Sequence, residues 1–272
     1  MTIKTLKTLS PVLYLPHGGG PLPFLGETSH EDLVDFLKEI VNRLGNPSAI
    51  LVISAHWEED QPTITSGSQP EVIYDYTGFP AEAYQIQYPV LGHPQLAREL
   101  FELLKAGDFN PRLDERRGFD HGLFIPLKLM YQKAEIPCIQ LSLLKDLSPK
   151  KHIALGKAIS ALRKKNVLII GSGMSFHNMR AFFSPEIDSS NPCGEFDRWL
   201  IETCTNPKGS TEERERRLTE WETAPSARFC HPREEHLLPM HVCYGIASDE
   251  TPVAEVVFNK KVMGKTVTSL LW

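Results

Sequence analysis

Three histidines stand just after three separate apolar runs that are typical of buried β-strands. His17 directly follows PVLYLP, His56 directly follows AILVISA, and His177 comes shortly after NVLIIGSG. In open α/β sheets, ligands bind in the crevice beyond the carboxyl ends of the strands. If these strands are parallel neighbours, the three imidazoles converge on one edge of the sheet, and we expect a binding site there.

Two more histidines stand where a loop leads into a predicted helix. His121 lies between two glycines in RRGFDHGLFIP, and His236 follows Glu234 and Glu235 in HPREEHLLP. The two glutamates also have a structural interpretation, because carboxylates are favoured at a helix N-terminus. The sequence therefore offers five candidate site histidines on five separate segments.

Imidazoles gathered in this way are suitable ligands for a transition metal. Neutral imidazole binds zinc, iron and copper, and the absence of paired carboxylates disfavours magnesium or calcium. Ligands on separate strands form a rigid site, and three protein ligands leave positions open for a substrate or oxygen. The glycines of HGGGPLP occur without a P-loop or dinucleotide-binding pattern, and no nucleophile elbow G-x-S-x-G is present.

Other histidines and several aromatic residues carry simpler expectations. Structural roles are expected for four other histidines. His30, His93 and His152 are expected to cap helices or to be exposed to solvent, and His241 is expected to be packed. The aromatic residues beside the motifs either form the wall of an aromatic pocket or pack in the core: Trp57, Phe79, Tyr84, Phe119 and Phe176.

The elements that must position these residues alternate between strand-like and helix-like patterns. Strands are predicted at 11–16, 49–55, 137–144, 166–173, 254–258 and 266–272. Helices are predicted near 30–43 and over 93–107, 120–132, 148–165, 195–221 and 233–247. This alternation favours an α/β fold with a central, mostly parallel sheet flanked by helices. Without a repeat or linker, residues 1–272 are predicted to form a single domain with the metal site at the carboxyl ends of the strands.

The composition indicates an ordinary globular protein. Of 272 residues, 41% are hydrophobic and 23% are charged, and the net charge of −5 gives no reason to expect a nucleic-acid partner. Apolar runs stay shorter than the roughly 18 residues of a membrane span, and the first residues lack a signal-peptide profile. The cytoplasm is the expected location, and five cysteines without CxxC spacing are expected to be reduced thiols.

Six blocks of the sequence occur in the order found in a known enzyme family. They are PHGGGPLPFLG, VISAHWEED, GFPAEAYQIQYPVLGHPQLA, RGFDHGLFIPLKLMYQKAEIPCIQLSL, IIGSGMSFHNMR and HPREEHLLPMHVCYGIA. From about residue 10 to 270 the chain resembles the class III (LigB-type) extradiol ring-cleavage dioxygenases, most closely their 4,5-DOPA dioxygenase-like branch. The resemblance implies an α/β domain with one non-haem divalent metal ion per chain. It also implies that the enzyme uses O2 to open a catechol, such as DOPA or a related small aromatic, beside its two hydroxyls.

The resemblance also implies roles for the five histidines. By position, His17, His56 and His236 correspond to metal ligands, His177 to a histidine near the metal, and His121 to one that faces the substrate. His177 is then expected to act as the general base that takes a proton and later returns one. Fe(II) is implied for oxygenase activity, whereas Zn(II), which also suits an all-histidine set, has no redox chemistry.

Several alternatives stay open at this point. A related branch uses a glutamate as the third ligand, so Glu234, Glu235 or His177 could also bind the metal. The Memo family resembles these enzymes in fold but serves in signalling, so a non-catalytic metal-binding interaction protein is a second function. A zinc-dependent hydrolase is a third, and it needs a water-activating carboxylate from a short set: Glu58, Glu59, Glu234 or Glu235.

Overall fold

The computed structural model describes residues 9–183 and 192–272, and its strands form one eight-stranded mixed sheet. The strands are β1 Val12–Pro16, β2 Ala49–Glu59, β3 Thr63–Thr65, β4 Arg112–Asp114, β5 Cys138–Leu144, β6 Val167–Gly173, β7 Glu255–Val262 and β8 Lys265–Leu271. Their order across the sheet is β4-β3-β5-β2-β6-β1-β8-β7. The four central strands β5, β2, β6 and β1 are mutually parallel, and β8 runs antiparallel to β1.

Helices flank this sheet, as the alternating pattern predicts. They are α1 Glu31–Ile40, α2 Pro94–Ala106, α3 His121–Met130, α4 Pro149–Ile159, α5 Met179–Phe182, α6 Pro192–Thr205, α7 Thr211–Thr219, α8 Ala227–Cys230 and α9 Leu238–Ala247. Helix α9 packs against α4 and against β6 and β1, while α3 packs against β2 and α1. Ser148 caps α4 by accepting a hydrogen bond from Lys151 N, as expected for a serine before a proline at the first turn.

The central strands are buried along their whole length except at the end of β2. Every residue of β1, β5 and β6 is buried, and so are the first seven residues of β2. Covering both faces of a parallel sheet requires apolar residues on both faces, which explains why these strands have unbroken apolar runs. The α/β fold with a parallel central sheet is thus confirmed, and the backbone at the strand ends is held rigidly.

Some element bounds differ from the predictions for local reasons. Strand β2 continues to Glu59 because its pairing with β5 resumes after a bulge between Ile53 and Glu58. Helix α9 begins only at Leu238, because residues 233–237 form the turn that presents His236. Strands β3 and β4 have three residues each, too few for an alternation pattern to be visible in the sequence.

Two histidines expected at the surface are buried instead. His30 is 1% exposed and accepts a hydrogen bond from Gly19 N, and His152 is 0% exposed. His93 does cap α2, by accepting a hydrogen bond from Leu96 N, and His241 is packed as expected. Within 9–183 and 192–272 the helices are all too short or too polar to cross a lipid bilayer.

Candidate metal centre

Strand β1 delivers His17 to the edge of the sheet, where β6 ends beside it. Pro16 pairs with Gly173 in the parallel register, and His17 N donates a hydrogen bond to Gly173 O at 3.1 Å. His17 is 1% exposed, so both its backbone and its ring are fixed by the end of the sheet. This placement agrees with the prediction that a strand end carries the histidine.

Strand β2 delivers His56 in a different way from the one predicted. His56 lies inside the strand, in the bulge where four residues of β2 lie opposite a single residue of β5. Its backbone N donates a hydrogen bond to Ser54 Oγ at 3.1 Å, which stabilises the bulged backbone. A bulge redirects a side chain that a regular strand would point elsewhere. The bulge therefore turns the His56 ring towards His17.

His236 reaches the same place from the turn before α9. Its carbonyl oxygen accepts two hydrogen bonds, from Tyr14 Oη and from Met174 N, each at 3.0 Å. A Cβ on Gly173 would lie only 2.1 Å from that carbonyl oxygen, so a glycine is required there. The turn is thus held against the ends of β1 and β6, and the His236 ring is 4% exposed.

The three histidines His17, His56 and His236 form one compact group. Each can offer one ring nitrogen such that all three nitrogens lie within 4.8 Å of one another. Burial and the neighbouring imidazoles lower the pKa of each well below its usual value. The rings are therefore neutral at physiological pH, which is the protonation state that binds metals.

Hydrogen bonds to the outer nitrogens determine the tautomer of two of these rings, His17 and His236. Ser172 Oγ donates to Gly122 O at 2.5 Å, so it must accept from His17 Nδ1–H at 3.0 Å. His236 Nδ1–H donates to Glu235 Oε1 at 2.8 Å. Both rings thus carry their proton on Nδ1, and Nε2 is left with a lone pair. A hydrogen bond of this kind is what orients metal-bound histidines.

The donor set fits a divalent transition metal. His17 Nε2 and His56 Nε2 lie 3.1 Å apart, and two imidazole nitrogens on one tetrahedral ion at about 2.0–2.1 Å are about 3.3 Å apart. The lone pair of His17 Nε2 is so close to the second ring nitrogen that a proton or a cation must lie between the two atoms. The residues present therefore suit a metal ion held by three neutral imidazoles.

His121 lies beside this group and is tied to a carboxylate that the sequence analysis missed. Asp75 Oδ1 accepts hydrogen bonds from His121 Nδ1 at 2.8 Å and from His121 N at 3.0 Å. Burial alone would raise the pKa of Asp75, but these bonds and the charges of His121 and His56 outweigh burial and lower it. His56, Asp75 and His121 also form a second group that could hold a metal. Asp75 had no strand or motif beside it in the sequence to draw attention to it.

His177 is paired with a carboxylate in the same manner. Its ring stacks on His236 with centroids 3.4 Å apart, and its Nδ1 lies 3.2 Å from Glu235 Oε1. Burial would raise the pKa of Glu235, but the hydrogen bond from His177 and the charge of Arg233 lower it overall. His177, Glu235 and His236 form a third possible metal group.

The buried carboxylate of Asp120 stabilises the bulge of β2 through Ser54. Asp120 is 0% exposed, accepts a hydrogen bond from Ser54 Oγ at 2.7 Å, and is also contacted by Gln140 Nε2 and Arg117. Burial raises the pKa of Asp120, with the charge of Asp75 acting in the same direction. Since Ser54 also holds His56 N, this network links the start of α3 to the histidine in the bulge.

A cavity of about 370 Å³ opens directly above the five histidines. Of the five aromatic residues considered from the sequence, only Phe79 lines it. Trp57 is buried elsewhere, 4.4 Å beneath the Arg117 guanidinium. Tyr76, Phe182 and Phe183, which the sequence analysis did not single out, complete the aromatic part of the wall. A cavity of this volume is in the usual range for a small-molecule site.

The carboxylates considered for a hydrolase are mostly engaged outside the cavity. Glu58 pairs with Arg233, Glu59 accepts from Trp57 Nε1, and Glu234 pairs with Arg228. Only Glu235 belongs to one of the possible metal groups, and its Oε1 is bound by two imidazoles. None of the four is in a position typical of a water-activating base.

Comparisons with known proteins agree with this geometry. Residues 11–270 match the family described as the catalytic LigB subunit of aromatic ring-opening dioxygenase. The chain is 34% identical to dioxygenase tasH of Hapsidospora irregularis, over 99% of this chain and 87% of that protein. It is 43% identical to a 4,5-DOPA dioxygenase extradiol of Beta vulgaris, over 78% of each chain.

The fold is also found in a solved structure. The uncharacterized protein JW3007 from Escherichia coli K12 matches with a TM-score of 0.75 and 25% sequence identity, covering 96% of this chain and 99% of that one. The family match spans nearly all of the sequence, including all five site histidines. The chain therefore belongs to the LigB family of aromatic ring-opening dioxygenases, and it is an extradiol dioxygenase of the DOPA dioxygenase-like branch.

Proposed function

We propose that this enzyme opens a small catechol, such as DOPA or a related aromatic, next to its two hydroxyl groups, with a metal ion held by His17, His56 and His236. The single observation that carries the proposal is the convergence of three neutral imidazoles, two of them buried and that of His56 half-buried, at the base of a cavity that also contains His121 and His177. In this reaction a ring C–C bond beside the diol breaks, and both atoms of O2 enter the product.

The metal would supply two kinds of chemistry when it is bound. As a Lewis acid it favours the ionised diol, and as Fe(II) it gives O2 access to the electrons of the substrate. Zn(II) supplies the first but not the second, because it has no redox chemistry. We therefore propose Fe(II) as the metal of the active enzyme.

His177 and His121 handle protons on the two sides of the metal group. With Nδ1–H committed to Glu235, His177 has only Nε2 free to accept the proton of a substrate hydroxyl. Asp75 leaves Nε2 of His121 free in the same way. Each carboxylate stabilises the imidazolium that forms, so either ring can take a proton and return it. The apolar cavity wall keeps water away from these transfers.

Reconstitution with different metals tests the proposed reaction. Protein stripped with a chelator is loaded anaerobically with Fe(II) or with Zn(II) and mixed with air-saturated catechol. We expect oxygen uptake and a yellow semialdehyde only with Fe(II), and neither with Zn(II). Iron-replete protein that consumes no oxygen with a panel of catechols would overturn the proposal.

Substitutions of single histidines test the proposed ligand set. His17→Ala, His56→Ala and His236→Ala should each lower the bound metal by at least about tenfold at fixed free metal, with the circular dichroism of the fold retained. His177→Ala should keep its metal and lose turnover. Metal loss in His177→Ala, with normal metal in His17→Ala, would place the ion in the group of His177, Glu235 and His236 instead.

We also propose the cytoplasm as the compartment and O2 with a small catechol as the partners. All five cysteines are buried and stand outside disulfide bonds in the described ranges, which supports a reducing compartment. Protein detected in an exported fraction of the cell, by immunoblotting of fractions, would contradict this assignment.

A further inference from the structure

The cavity above the histidines has an apolar wall that goes beyond what a bare catechol needs. Its residues outside the histidine cluster are glycines, aliphatic and aromatic side chains, and methionines. In the described part of the chain, the lining includes no lysine, arginine, aspartate or glutamate side chain. A substrate whose diol lies at the histidines must therefore place the rest of its structure against apolar groups.

The outer rim of the cavity exposes large apolar side chains to solvent. Met179 is 53% exposed and Phe183 is 71% exposed, and both line the cavity. The other exposed large hydrophobic residues in the described ranges are Leu91 and, at 37% exposure, Val253, and neither lines the cavity. Apolar groups left exposed at the mouth of a site are typical of a surface that an apolar ligand covers.

Met263 lines the cavity wall from a left-handed backbone conformation, which is unfavourable for a long side chain. It occupies the two-residue turn between β7 and β8, with φ of +51°, followed by Gly264 with φ of +78°. Asparagine is the favoured residue at this turn position, and a long side chain there carries strain. The Met263 Sδ atom packs so closely on Gly19 that a Cβ there would lie 2.9 Å away. The strained methionine closes the cavity beside the loop that follows β1.

Three charged groups near the cavity are already paired with other protein groups. Asp75 is bound by His121, and Glu235 is bound by His177 and His236. Arg233 forms two hydrogen bonds with Glu58, each of 2.6 Å. Arg180 lines a neighbouring hollow together with Arg233 and Glu235, and does not line this cavity. A zwitterionic substituent would lose its hydration here without gaining partners, which is costly.

From this geometry we infer that the preferred substrate is a catechol whose substituent is apolar, such as an alkyl or aryl group, and not the zwitterionic side chain of DOPA. The inference rests on the proposed function, and it narrows the substrate class at the same site. The substituent lies between Phe79, Met263 and the rim formed by Met179 and Phe183. The names of the DOPA-cleaving relatives point to an amino-acid substrate for those proteins, so this chain differs from them in its substrate.

A comparison of matched substrates tests the inference. With the Fe(II) enzyme, kcat/KM for 4-butylcatechol should exceed that for L-DOPA and for 3-(3,4-dihydroxyphenyl)propionate by roughly tenfold or more, because each buried methylene favours binding. Calorimetric titration of the Zn(II) protein without oxygen should give the same order of Kd. Equal or better values for L-DOPA in both measurements would overturn the inference.

Two variants show whether the named wall residues cause the preference. Met263→Asn relieves the turn strain, so its fold should survive, and Phe183→Ser changes a residue that is mostly exposed. Both should reduce the ratio of kcat/KM for 4-butylcatechol to kcat/KM for L-DOPA, mainly through changes in KM and Kd. Leu91→Asn, at an exposed apolar site elsewhere, should leave this ratio unchanged. An unchanged ratio in both wall variants would also overturn the inference.

The outcomes separate this inference from the proposed function. If the Fe(II) protein consumes no oxygen with any catechol, the proposed reaction fails, while binding to the Zn(II) protein still decides the preference. A different result would be that catechols are cleaved, that L-DOPA is the better substrate, and that Arg180→Ala weakens L-DOPA binding. In that case the proposed reaction stands and the inferred preference for an apolar substituent is wrong.

Discussion

At the scale of single residues, the site depends on which nitrogen of each imidazole carries the proton. Ser172 and Glu235 accept from Nδ1 of His17 and His236, and Asp75 accepts from Nδ1 of His121. Each inward-facing Nε2 therefore carries a lone pair that can bind a metal or accept a proton without a change of tautomer. Loss of such an outer hydrogen bond typically lowers metal affinity or activity by about 10- to 100-fold.

Asp75 provides a prediction at this scale, because it touches two of the site histidines. Asp75→Asn can turn its amide nitrogen towards His121 and so favour the wrong tautomer. We expect kcat to fall by roughly 10- to 100-fold and the pH profile of kcat to change, while metal content by mass spectrometry stays at the wild-type level.

The control for this prediction is Asp60→Asn, which removes a surface carboxylate paired with Lys145 and should behave as wild type. Loss of metal from Asp75→Asn would show that the ion lies in the group of His56, Asp75 and His121. Unchanged kcat would show that His121 needs no such orientation.

At the scale of elements, the strands that carry the site were predictable and the irregularities that aim its residues were not. The apolar runs before His17 and before His56 predicted two buried strands correctly, because burial on both faces leaves a clear pattern. The bulge that turns His56 depends on how β2 pairs with β5, and pairing is not visible in one strand alone. Asp75 was missed for the same reason, since its loop reaches His121 only in three dimensions.

Gly173 provides a prediction at this scale, where β6 meets the turn that carries His236. Gly173→Ala places a methyl group against the His236 carbonyl oxygen, which is backbone and must move. We expect the bound metal to fall by at least about tenfold, and the free energy of unfolding to fall by about 1–3 kcal/mol. Metal titration and urea unfolding of the metal-free protein measure the two effects separately.

Gly209→Ala is the matched control, since its added methyl would meet atoms only at 3.7 Å. It should change neither quantity. Wild-type metal affinity in Gly173→Ala would show that the position of the His236 carbonyl does not determine the position of its ring.

At the scale of the whole molecule, the metal centre occupies one edge of the sheet, and several histidines elsewhere serve the core. His152 was expected at the surface because its helix contains lysines, yet its ring is fully buried and both of its nitrogens are bonded. Nδ1–H donates to Ser148 O at 2.7 Å, and Nε2 accepts from Leu144 N at 3.1 Å. The sequence pattern of α4 shows which face is polar, but not that a histidine bridges the helix to the end of β5.

This bridge makes stability depend on pH in a defined direction. Burial lowers the pKa of His152 to about 4 in the folded protein, while the unfolded chain keeps a value near 6.5. At pH values between these two pKa values, His152 is protonated in the unfolded chain but neutral in the folded protein. The free energy of unfolding therefore falls as the pH decreases through this range. For His152 alone the loss from pH 8 to pH 5 is about 2 kcal/mol.

His152→Gln isolates this contribution from those of the other buried histidines. Glutamine can still accept from Leu144 N but does not titrate, so the variant should lose about 2 kcal/mol less than wild type between pH 8 and pH 5. Urea unfolding of both metal-free proteins at the two pH values measures the difference, and the values at pH 8 give the cost of the substitution itself. Identical pH dependence in the two proteins would mean that the acid sensitivity comes from the site histidines and not from the bridge at His152.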